Sequence, residues 1–125
     1  MTTTTLSKPI LSNLEPRDET LTATAKTYPV GTLLARDTST LKLVPFVKGG
    51  NTNGNGIINS VLTRELVATA AQDYSVSVTI AGQVDKDLLV IDADGDASNV
   101  DAAIVDELAK MGIYAQSYAK NTTGF

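Results

Sequence analysis

The carboxylates offer the first candidate chemistry. Asp92-Ala93-Asp94-Gly95-Asp96 alternates acids like the start of a calcium-binding loop, because hard cations take several carboxylate oxygens. Two positions depart from that loop. Its sixth residue, normally the glycine of the sharp turn, is Ala97, and its twelfth, normally a bidentate glutamate, is Ala103. The segment therefore reads as a solvated acidic turn ahead of a helix N-terminus, where negative charge is favourable, and no metal site is assigned. Paired carboxylates also cleave glycosides, but aromatic residues that would stack a sugar make up only 5% of the chain and this turn is the one acidic cluster. The loop Gly49-Gly50-Asn51-Thr52-Asn53-Gly54-Asn55-Gly56 has the glycines of a phosphate cradle. It lacks the lysine and the following helix N-terminus that such a cradle needs. The chain has no Cys and no His, which removes thiol nucleophiles, imidazole bases and Cys/His zinc sites. No serine sits in a strand-turn-helix elbow. The Asn121-Thr122-Thr123 sequon has meaning only in a secreted protein. No catalytic residue and no cofactor is assigned, and the expectation is a protein that is not an enzyme.

The elements that would carry any site are short and mostly β. The 125 residues suit one domain, and with 42% hydrophobic residues, 5% aromatics and no Trp its core must be built mainly from Val, Ile, Leu and Ala. Residues 1–20 contain scattered apolar positions and two prolines, Pro9 and Pro16, which discourage a continuous helix. They read as a flexible N-terminal arm, leaving 21–125 as a single β-rich domain. Thr20–Ala25 alternates weakly. Thr32–Arg36 and Leu41–Val44 pair as a hairpin across the polar turn Asp37–Thr40, with Pro45 marking an edge or a strand end. Gly56–Leu62 reads as a strand. Tyr74–Ile80 is the strongest, with Val76, Val78 and Ile80 on one face and Ser75, Ser77 and Thr79 on the other. Gly82 suggests a bend before Val84, and Leu88–Ile91 a buried strand. One α-helix is expected at about 98–111, capped by Ser98, striped by Ile104, Val105, Leu108 and Met111, and stopped by Gly112. Ile113–Ala115 then resumes extended structure. The fold class is α+β, mostly β: a small compact domain of short strands and hairpins with one main helix and an extended arm.

Charge narrows the partners. The net charge of −4 argues against nucleic acid. Residues 1–48 hold six basic and four acidic side chains, a charge of +2, and the rest hold four basic and ten acidic, a charge of −6. Such asymmetry can orient a molecule on a charged surface. No stretch is apolar for long enough to span a bilayer and the first residues lack the pattern of a secretory signal, so neither a membrane partner nor export is expected.

Gly31-Thr32-Leu33-Leu34-Ala35-Arg36-Asp37-Thr38-Ser39-Thr40-Leu41-Lys42-Leu43-Val44 resembles the corresponding stretch of the lambda-type phage head decoration proteins. In that family a small-residue lead-in, a short apolar strand, an Asp-Thr-Ser turn and a Lys-Leu-Val strand are followed by a Gly/Asn- or Asp-rich loop, here Gly49–Asn55. A Gly-Ile-Leu-like strand comes next, here Gly56-Ile57-Ile58, and Val76–Gly82 resembles a later strand ending in glycine. The order and spacing carry the likeness over 29–84 and more faintly to 113. The N-terminal arm, the longer acidic turn at 92–97 and the longer helix depart from it. The resemblance implies a capsid cement protein on the outer surface of the expanded head, made in the host cytoplasm. Its partners would be the major capsid protein and, at threefold positions, two further copies of itself. It also implies an arm that orders on binding and adds a strand to the shell, which places shell contacts at Thr2, Thr3, Thr4, Thr5, Leu6, Ile10 and Leu11. Deleting residues 2–14 is then expected to abolish shell binding without unfolding the domain. Pro45 and Phe46, near an edge, are the candidates for the trimer interface. The alternative is a small β-rich receptor- or glycan-binding module of a phage or surface fibre.

Overall fold

The computed structural model describes residues 9–117. Ten strands and one helix follow one another there: β1 (Ile10–Asn13), β2 (Pro16–Ala23), β3 (Thr27–Tyr28), β4 (Leu33–Arg36), β5 (Leu43–Pro45), β6 (Ile58–Leu62), β7 (Leu66–Val67), β8 (Gln72–Thr79), β9 (Gly82–Asp85), α1 (Ala102–Met111) and β10 (Ile113–Gln116). A closed barrel joins β2, β5, β4, β6 and β8. Its longest seam is antiparallel, running from Pro16↔Thr79 to Ala23↔Gln72, and a single parallel pair, Leu21↔Leu43, joins β2 to β5. Closure leaves no unpaired barrel edge. Beside the barrel lies a three-stranded sheet in the order β1-β9-β10, antiparallel on one side of β9 and parallel on the other, and β3 and β7 form a small ribbon.

Two cores result, and β4 explains why. Its sequence Leu33-Leu34-Ala35 is continuously apolar, and all three residues are fully buried because both faces of the strand are covered. Leu34 points into the barrel with Leu21, Leu43, Leu62, Val76 and Val78. Leu33 and Ala35 point the other way, into a cluster with Val84, Ile104, Leu108 and Ile113 from the outer sheet and helix. In β6 a bulge does the sorting. Ser60 opposes Leu34 and Ile58 opposes Ala35, leaving Asn59 as the extra residue. Ile58 and Val61, three apart, therefore share the outer cluster while Leu62 enters the barrel. Each fully buried leucine contributes about 2 kcal/mol of transfer free energy. The hairpin expected across Asp37–Thr40 is present, with Ala35↔Val44 and Arg36↔Leu43 in register and Asp37 Oδ1 accepting from the amides of Ser39 and Thr40.

Three expectations are corrected. Residues 10–13 and 16–20, expected within the flexible arm, are strands. The polar run Pro16-Arg17-Asp18-Glu19-Thr20 is extended because β8 supplies its backbone partners, which no local pattern announces. The helix begins at Ala102 and not at 98. Ser98 is held in a turn, its amide donating to Asp96 Oδ1 at 2.9 Å, and Asp101 is the N-cap, its Oδ1 accepting from the Ile104 amide at 3.1 Å. The helix ends as expected, at Gly112, whose φ of 96° is open to glycine and costly for other residues. Leu89, Val90 and Ile91 are buried, but they form no strand: a 3₁₀ turn over Lys86–Leu88 leads into isolated bridges, Thr32↔Val90 and Ile91↔Asp96. Phe46, a candidate interface residue, is 1% exposed and belongs to the outer core.

Candidate functional site

The acidic turn comes first, since its residues have the strongest chemistry. Asp92 pairs with Lys26, Asp94 Oδ2 accepts from the Asn99 side-chain amide at 3.0 Å, and Asp96 caps the Ser98 amide. The Ser98 side chain and amide hold Asp96 below the ordinary carboxylate range. Every carboxylate of the motif is thus engaged by a neighbour, and among the described residues no group of three or more acids forms a metal-ligand cluster. The turn orders the approach to α1. Lys48 completes that work from 53 positions away, its Nζ lying 2.6 Å from Asp101 Oδ2 and 3.0 Å from the Asn99 carbonyl. Lys48 and the Ile104 amide together lower the Asp101 pKa.

The outer sheet has a different character. β1 and β10 each pair only with β9 among the described residues, so each presents an open backbone edge. The register of β1 passes from Ile10↔Val84 to Ser12↔Gln83, which leaves Leu11 at a bulge. Gly82 makes the close approach possible: its φ is 145°, and a Cβ there would lie 2.1 Å from the Ser12 carbonyl oxygen. Ile10 packs on the outer core and Leu11 is half-buried. Both residues already belong to a strand of the domain. Thr2, Thr3, Thr4, Thr5 and Leu6 lie outside the described residues.

The two ends of the described chain meet at one place. The Asp85 amide donates to the Pro9 carbonyl at 2.8 Å, and Gln116 is the parallel partner of Asp85. The chain thus enters β1 and leaves β10 on either side of the same β9 residue. Asp85 is fully buried; its Oδ1 accepts from the Asp87 amide at 3.0 Å, and its Oδ2 has no hydrogen-bond partner among the described residues. A third cluster of exposed side chains surrounds the glycine-rich loop. Leu41 and Ile57 are 66% and 67% exposed, and Leu41 has a left-handed φ of 65° that costs a leucine energy. The loop holds this end together, with Thr38 donating to the Asn53 carbonyl and Val47 to the Asn55 carbonyl. Pro45 ends β5 opposite Leu34, away from the turn that carries Leu41, and is partly exposed.

A family model described as bacteriophage lambda head decoration protein D matches residues 8–113 of the 125. The chain belongs to that family. No curated protein matches it. As a member, the chain is a structural protein of the phage head, and its place is the virion capsid. The sequence resemblance reached this family through the β4–β5 hairpin, the glycine-rich loop, the start of β6 and β8, which include four of the five barrel strands and omit β2. No helix among the described residues is long and apolar enough to cross a membrane. The open-edged sheet carried no sequence signal comparable to the hairpin. Its strands are four residues long, and their pairing is visible only once the chain has folded.

Proposed function

We propose that the chain binds the outer surface of the expanded head, major capsid protein below it, and stabilises the shell as trimers at threefold positions. The observation that carries this reading is the meeting of Pro9, where β1 is entered, and Gln116, where β10 is left, at Asp85, beside two open strand edges. Residues 1–8 lead directly into that end. Thr2, Thr3, Thr4 and Thr5 are β-branched and suit an added strand, and Leu6 is an apolar anchor. Ile10 and Leu11 fix where such an arm departs. Ordering the arm costs conformational entropy, which strand pairing offsets, and repetition over a symmetric shell sums weak contacts. A ligand that binds only the expanded state stabilises that state by mass action. The exposed Leu41, Val47 and Ile57 suit contact between copies, and the partly exposed Pro45 is a further candidate.

The test is co-sedimentation with undecorated shells, expanded and unexpanded. The intact chain is expected to saturate expanded shells alone, near three copies per threefold site. A variant lacking residues 2–8 is expected to lose binding and keep its thermal midpoint. The deletion stops short of Pro9, because removing residues 2–14 would also take β1 from the sheet. Undiminished binding by the truncated chain overturns the arm; failure of the intact chain to bind either shell overturns the decoration role.

A further inference from the structure

The cations of this acidic protein divide into two groups. Of the eight described Lys and Arg residues, Lys26, Arg36, Lys42 and Lys48 form ion pairs. Arg36 meets Glu19 through both guanidinium nitrogens, at 3.0 and 3.3 Å. Lys110 lies in the last turn of α1, where the helix end is negative. Lys86 lies in the 3₁₀ turn after β9 and, like Arg17 and Arg64, has no such partner among the described residues, although the chain carries a surplus of acids; only the two arginines share a cleft. Both line one cleft of about 340 Å³ between the β1–β2 turn, the start of the β6–β7 turn and β8.

The remaining lining sorts the possible ligands. Asn13, Thr63 and Ser77 offer an amide and two hydroxyls, Pro16 offers an apolar surface, and Asp18 stands among them, accepting from Ser77 Oγ at 3.3 Å. A plain anion would use the arginines and be repelled by Asp18. A ligand that combines a carboxylate with several hydroxyls uses both: the planar guanidinium forks take the carboxylate, and Asp18 and the neutral groups take the hydroxyls. The volume lies at the small end of ligand sites and suits a single sugar ring. We propose that this cleft is a binding site for an acidic sugar unit, a uronic-acid type of residue.

The cleft's position agrees with such a use. It lies at the Asn13 end of β1, and Pro9 lies at the other. Four strand residues, roughly 13 Å, separate the two ends. A copy that met the shell through its Pro9 end would leave the arginines accessible.

The test uses the free, full-length protein, so its outcome is independent of shell binding. Galacturonate, galactose and acetate are titrated separately while backbone amide resonances are followed by NMR. Galacturonate is expected to shift the amides of Asn13, Arg17, Thr63, Arg64 and Ser77 saturably, and galactose and acetate to bind far more weakly. Arg17→Gln and Arg64→Gln should each weaken galacturonate by roughly tenfold, the loss of one charge-assisted contact. Arg17→Lys keeps the charge without the fork and should fall between. Equal responses to acetate would reduce the cleft to an adventitious anion site and overturn the proposal. So would equal responses to galactose, absence of any saturable shift, or binding unchanged in the glutamine variants.

Discussion

The barrel and the outer sheet are built from strands of similar composition, yet they end differently. The barrel returns to its own first strand through β2 and β8, so every strand has two neighbours. The outer sheet stops after three strands, with β1 and β10 each open on one side among the described residues. One is a scaffold that satisfies itself. The other leaves a backbone edge unpaired by strand on β1 and on β10, beside the place where Pro9 and Gln116 flank Asp85. β4 ties them together, sending Leu34 into one core and Leu33 and Ala35 into the other.

Substitutions can break that comparison or sharpen it. The largest effects belong to the cores. Leu34→Ala in the barrel and Leu108→Ala in the outer cluster, both at 0% exposure, are each expected to cost about 3 kcal/mol in urea unfolding. Because β4 is shared, both variants should unfold in a single transition with an unchanged denaturant slope. Two separated transitions in Leu108→Ala would show instead that the outer sheet unfolds as an independent unit.

A smaller effect is confined to the outer sheet. Gly82→Ala places a Cβ against the Ser12 carbonyl at a φ closed to alanine, and it is expected to cost about 2 kcal/mol. Hydrogen exchange should localise the loss to β1 and the Asp85 amide and spare β8. Uniform loss across the barrel would contradict the division drawn here.

The smallest effect concerns the helix that backs the sheet. Asp101→Ala removes the cap and is expected to cost about 1 kcal/mol of thermal stability, with Ser98→Ala costing clearly less. The lowered pKa of Asp101, set first by Lys48 and then by the Ile104 amide, fixes a sign. Its contribution is present above the unfolded value near 3.8 and is lost as pH falls through the lower folded value. Asp73, lowered by Lys42 and Thr22, behaves alike. Thermal midpoints should therefore fall below about pH 4, and less steeply in Asp101→Asn. An unchanged slope in that variant would remove Asp101 from the acid response.

Sequence legibility followed the range of each interaction. The alternation of Val76 and Val78 with Ser75 and Ser77, the Asp37 turn and the Gly112 stop are local signals, and each is found where local chemistry put it. Only the first half of the first barrel strand was hidden: Leu21 and Ala23, its two buried residues, lie in the weakly alternating Thr20–Ala25 run, and β8 dictates the polar Pro16–Glu19 half through the backbone. The helix start was misplaced because Ser98 and Asp101 both suit a cap. The choice between them involves Lys48, distant in sequence, and burial of Val100 ahead of the helix. Phe46 looked like an edge residue beside a proline, and only the second core, formed by nonadjacent strands, accounts for its burial. Of the candidate contacts, Ile10 and Leu11 are placed in β1, and the threonines and Leu6 lie outside the described residues.

The meeting of Pro9 and Gln116 on either side of Asp85 also bears on how the chain could be rewired. Two strand spacings, roughly 10 Å, separate the places where the polypeptide enters and leaves. A circular permutant could therefore join the two ends and open elsewhere, for instance between β2 and β3, without disturbing any pairing of the outer sheet. Such a molecule would retain every residue of the proposed arm inside a continuous loop, so its binding to shells would test whether the proposed contact depends on the sequence of residues 1–8 alone.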